Sequence, residues 1–159
     1  MILTIVQLSD KLKSISQHQT VVLVTGVFDL LHSAHLKFLK KAKSCGDILL
    51  VGIESDARVI KLKGKDRPIN PLNVRIKNIS NLNFVDYVFA LPEKFKTKVD
   101  FNHLLSLLKP NIYAASSHTP HLKIKQQLIT AHGGQLKIVM SQDKSVSTTK
   151  LINSSHPKL

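Results

Sequence analysis

The sequence predicts a single doubly wound α/β domain built on a five-stranded parallel sheet. Two unbroken apolar runs, VVLV at Val21–Val24 and ILLVGI at Ile48–Ile53, have the composition of strands buried on both faces, as parallel sheets require. Such runs alternate with stretches of helical periodicity, the pattern of successive βα units. At 159 residues and 43% apolar content, the chain can bury one core, and it shows no repeat, linker or low-complexity block. The domain is therefore expected to span residues 1–159.

Each element has its own signal. Within residues 1–18, Ile5, Leu8, Leu12 and Ile15 share one helical face, and Asp10 breaks the continuous apolar core of a signal peptide. Thr20–Thr25 reads as the first strand. A helix from about Ala34 to Ser44 mixes inward Leu36 and Leu39 with outward Lys40 and Lys43, and Cys45-Gly46 stops it. Ile48–Ile53 is the second strand, and Glu54–Pro71 reads as a polar, basic connection. Asn70-Pro71 starts a helix over Leu72–Leu82. Val85–Leu91 is a strand, Val99–Leu108 a helix ended by Lys109-Pro110, and Asn111–Ala115 a strand. Leu122–Ala131 is a helix stopped by Gly133-Gly134, and Leu136–Met140 is the fifth strand. A last helix opens over Ser147–Asn153, before a polar tail over 153–159.

Composition narrows the partners. No apolar run approaches the roughly 20 residues of a membrane span, and the lone Cys45 cannot form an internal disulfide, so a cytoplasmic protein is expected. The formal charge of +13 draws polyanions such as nucleotides or nucleic acid. Aromatics make up only 5%, Trp is absent, and no helix-turn-helix or finger pattern occurs, so stacking platforms for nucleic acid are scarce. Most lysines read as a solvated surface. Only Arg58, Arg67 and Arg75 are arginines, a hint that a bidentate fork is needed at those places.

In open α/β sheets, ligands bind beyond the carboxyl ends of the strands. GVFDLLHSAH, Gly26 to His35, falls at that position and leads into a helix, whose N-terminal amides attract phosphate. Imidazoles three residues apart, His32 and His35, can converge there on one anion. Two other readings compete. One is a metal site, but only Asp29 stands nearby and no Cys lies at zinc spacing. The other has one histidine packed and the other solvated.

GVFDLLHSAHLKFLKKAKSCGD resembles the GxFDxxHxGH signature of the cytidylyltransferase-like nucleotidyltransferases. KLKGKDRPINPLNVR at Lys61–Arg75 and VSTTKLI at Val146–Ile152 follow in the same order, so the resemblance runs from about Val21 to Ile152. KGKDRPINP is most similar to the adenylyltransferase domain of ADP-heptose synthases, and STTK is similar to that group and to glycerol-3-phosphate cytidylyltransferase. The resemblance implies a Rossmann-like fold and transfer of a nucleoside monophosphate from ATP or CTP to a phosphorylated sugar or polyol, with release of pyrophosphate. It tilts the donor toward ATP. It implies that His32 and His35 steady the triphosphate and the transition state. Lys63 and, second, Lys61 would contact phosphate, as would Arg75, with Arg67 less defined. Thr25, Gly26, Val27 and Phe28 would shape the nucleotide slot. Ser147, Thr148 and Thr149 would cap the last helix toward the β- and γ-phosphates. Mg²⁺ is expected as the counter-ion of the triphosphate, held mostly by substrate oxygens and water rather than by a protein metal site. Relatives of this kind are commonly homodimers.

The chain departs from the pattern in places. Ala34 stands where the signature has glycine, and adds a methyl group where the nucleotide approaches. Ala114–His118 (AASSH) replaces an acidic, glycine-rich loop, and Ser145 replaces a glycine ahead of the Ser-Thr-Thr element. These changes motivate a second expectation, a catalytically impaired nucleotide-binding protein of the same fold.

Overall fold

The computed structural model describes residues 1–15, 18–95 and 97–141. Its elements in chain order are α1 (Ile5–Lys13), β1 (Val21–Gly26), α2 (Ser33–Lys43), β2 (Ile48–Ile53), α3 (Asp56–Lys63), α4 (Leu72–Ser80), β3 (Tyr87–Ala90), α5 (Lys98–Leu108), β4 (Ile112–Ser116), α6 (Leu122–Ala131) and β5 (Gln135–Met140). The strands form one parallel sheet in the order β3-β2-β1-β4-β5. The expected Rossmann-like, doubly wound architecture is the observed one. The order reverses between β1 and β4, and that switch point opens a crevice beyond the strand ends.

Successive strand residues face opposite sides, which is why these runs are apolar throughout. Leu23, Leu50, Phe89 and Tyr113 point into a layer with Leu8 of α1, Leu105 of α5 and Ile129 of α6. Val22, Val24, Leu49, Val51 and Val88 point the other way, onto Leu39 of α2 and Ile79 of α4. Each such fully buried aliphatic side chain contributes about 1.5–3 kcal/mol. The sheet is thus fixed by two cores, and the crevice inherits their rigidity.

Local chemistry sets the helix ends. Thr4 and Gln7 form a capping box on α1, and Thr97 and Asp100 form one on α5. One expectation is corrected. Glu54–Pro71 is not all connection, because α3 occupies Asp56–Lys63, with the Ser55 hydroxyl accepting from the Arg58 amide and Gly64 (φ +99) ending it. The chain start adds another feature: Leu3 donates to the Val88 carbonyl and Val88 to that of Met1, so these residues run beside β3. The last helix expected from Ser147 and the tail over 153–159 lie outside the described residues. No helix among the described residues is long and apolar enough to cross a membrane.

Candidate nucleotide site at the switch point

The corner after β1 is built tightly. Phe28 adopts a left-handed conformation (φ +47) and turns its ring back over Gly26, where an added Cβ would lie 2.7 Å from Phe28 Cε2. Any side chain at residue 26 would force the Phe28 ring to shift. A non-glycine residue at positive φ costs free energy and persists where the surroundings enforce it; here the Phe28 ring is 5% exposed and packs edge-on to His35 at 5.4 Å.

Asp29 ties this corner to the residues before α4. Its carboxylate accepts from Arg67 Nε (2.8 Å) and from the amides of Ile69 (2.9 Å) and Asn70 (2.8 Å), while Asn70 Nδ2 donates to its carbonyl. Burial alone would raise the Asp29 pKa, but these hydrogen bonds hold it below the usual carboxylate range. Asp29 is therefore a structural tie. Arg75 is fully buried and spends its guanidinium internally: Nε on the Asn70 carbonyl, Nη1 on that of Val27 (2.7 Å) and Nη2 on Asp56 Oδ1 (2.6 Å). The expectation that Arg75 contacts phosphate is corrected on this geometry. Its donors join the β1–α2 corner, the 67–71 segment and α3 into one body. Arg67 is likewise buried against Asp29, with Nη2 lacking a partner among the described residues.

His32 is the N-cap residue of α2, and His35 lies in the first turn. Their rings stack with centroids 3.8 Å apart at 23°. The two imidazoles therefore do converge, as their spacing suggested. Burial, the neighbouring His32 and Lys63 push the His35 pKa down to about 4, against a hydrogen bond with the Leu30 backbone and the charge of Asp29. His35 is thus neutral near pH 7 and offers a ring N–H rather than a full positive charge.

Both rings open onto a cavity of about 790 Å³, within the range of pockets that hold small organic ligands. Thr25, Gly26, Val27, Phe28, Ala34 and Lys63 line it as well. Partial desolvation and Arg67 lower the Lys63 pKa, with Asp29 opposing. The opposite wall comes from the segment after β4 and from α5 and α6, including Ser116, His118, Lys98 and Lys125. Thr25 Oγ1 lies 2.7 Å from the Tyr113 hydroxyl, which accepts from Lys125 Nζ at 3.0 Å, linking the floors of β1 and β4. Lys61 is exposed and does not line the cavity, and Ser147, Thr148 and Thr149 lie outside the described residues.

Sequence reasoning missed Glu54, Arg58, Lys98 and Lys125 as cavity residues. Glu54 follows directly on β2, so the rule that placed His32 and His35 beyond β1 also pointed there. Among the described residues, no group of three His, Cys, Asp or Glu side chains could hold a metal ion.

Comparison with known proteins agrees with this geometry. The cytidylyltransferase-like family model matches residues 23–156. The bifunctional protein HldE of Pelobacter propionicus is 36% identical over 133 residues, covering 83% of this chain and 26% of that protein. HldE of Yersinia pestis is 33% identical over 136 residues, covering 86% of this chain and 28% of that protein. The chain thus spans about a quarter of the length of the curated relatives it matches. Among solved structures, a lipopolysaccharide core biosynthesis protein from Thermoplasma volcanium aligns with a TM-score of 0.62 at 30% identity, covering 80% of this chain and 99% of that one. The pantoate-β-alanine ligase of Francisella tularensis shares the fold alone, with a TM-score of 0.67 at 18% identity, covering 97% of this chain and 76% of that one.

Proposed function

We propose that this chain, which belongs to the cytidylyltransferase-like family of nucleotidyltransferases, moves a nucleoside monophosphate from ATP or CTP onto a phosphorylated sugar or polyol. The observation that carries this reading is the stacked pair His32 and His35 at the start of α2, opening with Lys63 onto a cavity of about 790 Å³. The similarity to HldE and to a lipopolysaccharide core biosynthesis protein supports a carbohydrate acceptor, and the KGKDRPINP phrase favours ATP as donor.

In this reading an oxygen of the acceptor phosphate attacks the α-phosphorus. A new P–O bond forms as the bond to pyrophosphate breaks. No proton need move at the reacting atoms, so the protein's task is to align two anions and offset charge on the departing group. His32 and His35 place their rings against the phosphate oxygens, and the α2 amides add their dipole. Lys63 supplies a full positive charge from the end of α3. Lys61, Arg67, Ser147, Thr148 and Thr149 enter only through the family resemblance, and Arg75 acts by holding the corner in shape. Mg²⁺, arriving on the triphosphate, would neutralise phosphate charge. Such an ion would be held by phosphate oxygens and water.

Ala34 favours a second reading, because its methyl group lines the cavity where the family signature has glycine. In that case the chain binds the triphosphate without turnover. Pyrophosphate release with ATP and CTP, tested against sugar and polyol phosphates, decides between the two. Release with any pair supports transfer, and triphosphate binding without release across the panel supports the second reading.

A further inference from the structure

We infer that Glu54 and Arg58 form a hydroxyl-recognising subsite that selects a polyhydroxylated acceptor, a step that rests on the nucleotidyl-transfer reading of the same cavity. Glu54 is the first residue after β2, and Arg58 lies in the first turn of α3, near enough for its charge to act on the Glu54 carboxylate. Both line the cavity. Glu54 Oε2 and Arg58 Nε are each buried with no hydrogen-bond partner among the described residues. Buried polar atoms left unpaired are costly, and a functional site is where such a cost is tolerated.

The two atoms have complementary needs. Oε2 requires a donor and Nε–H requires an acceptor. A hydroxyl is both, so adjacent hydroxyls on one molecule satisfy the pair together. A phosphate alone would suit Arg58 but is repelled by Glu54. An ammonium group alone would suit Glu54 and leave Arg58 unmet. Burial raises the Glu54 pKa, while Arg58, Lys125 and Arg75 pull it back, so the carboxylate sits among cations. Lys125 is fixed there by its bond to Tyr113 and by its place 5.5 Å and 5.2 Å from the ring centroids of Phe101 and Tyr113. That surplus of positive charge suits an acceptor that carries a phosphate as well as hydroxyls.

Position separates this subsite from the nucleotide's phosphates. The histidines follow β1, whereas Glu54 follows β2, the next strand outward toward β3. The nucleotide's own ribose also carries hydroxyls, so the experiment must read donor and acceptor separately. Glu54→Leu and Arg58→Met are compared with wild type, with Glu54→Gln and Arg58→Lys in reserve should either unfold. Steady-state pyrophosphate release at saturating nucleotide is measured with heptose 1-phosphate, mannose 1-phosphate, glycerol 3-phosphate and phosphocholine. Calorimetry measures binding of a non-hydrolysable ATP analogue, and of each acceptor to the analogue complex. The expected result is a rise of about tenfold or more in KM for the hydroxylated acceptors, with kcat within about threefold and analogue affinity unchanged. Unchanged KM values, or a loss confined to the analogue, overturn the inference. If wild type releases no pyrophosphate with any acceptor, the transfer reading fails on its own, and acceptor binding decides the subsite. Loss of hydroxylated-acceptor binding in both variants supports it. Equal binding in the variants, or none in wild type, overturns it.

Discussion

Replacing His35 by asparagine should flatten the dependence of stability on pH. In the folded chain the His35 pKa is pushed from 6.5 down to about 4, first by burial and then by His32 and Lys63. A folded-state value below the unfolded one means that the unfolded chain binds the proton more readily. The stability contributed is fully present above pH 6.5 and is lost as the pH falls toward 4. At about 1.4 kcal/mol per pH unit, and allowing for partial solvent access, the loss amounts to about 2 kcal/mol between roughly pH 7.5 and 4.5. His32, Lys63, Glu54 and Asp29 remain in both proteins, so the difference between the two profiles reports His35 together with its coupling to His32. Urea denaturation across that range measures it. Wild type should lose about 2 kcal/mol more than His35→Asn on acidification. Parallel profiles would show that the imidazole is not desolvated, and the description of the corner would be wrong.

Other perturbations follow from the same contacts. His35→Ala should lower kcat by about a hundredfold or more in the pyrophosphate assay, as loss of a transition-state donor does. Lys63→Met should weaken triphosphate binding by about tenfold in calorimetry, whereas Lys61→Met, exposed and off the cavity, should change it by less than about twofold. Arg75→Met removes three internal hydrogen bonds and leaves Asp56 without its guanidinium, so urea denaturation should show a loss of about 3 kcal/mol. Gly26→Ala drives a methyl group into the Phe28 ring, which should cost about 1–3 kcal/mol and weaken nucleotide binding together.

Much of the fold was legible because its signals are local. VVLV and ILLVGI became β1 and β2, since strands covered on both faces must be apolar at every position. The histidine spacing and the end of β1 placed His32 and His35 together for the same reason, a short stretch of chain with one geometry. The hidden parts depend on distant partners. DARVIKLK carries a weak apolar stripe, with Val59 alone buried, so charge masked α3 even though Ser55 and Gly64 marked its ends. Arg75 looked like a ligand residue because an arginine in a basic phrase serves equally as phosphate contact or internal brace. Only its surroundings, the carbonyls of Val27 and Asn70 and the carboxylate of Asp56, decide. Glu54 and Arg58 fell within the polar connection after β2, and no local pattern tells a cavity wall from solvent there.

The most direct measurement is a crystal structure of the chain with a non-hydrolysable ATP analogue and Mg²⁺. Phosphate oxygens at about 3 Å from the ring nitrogens of His32 and His35, with Lys63 beside them, are the predicted result. Phosphates bound elsewhere on the chain, with the crevice between β1 and β4 left without ligand, would contradict the account.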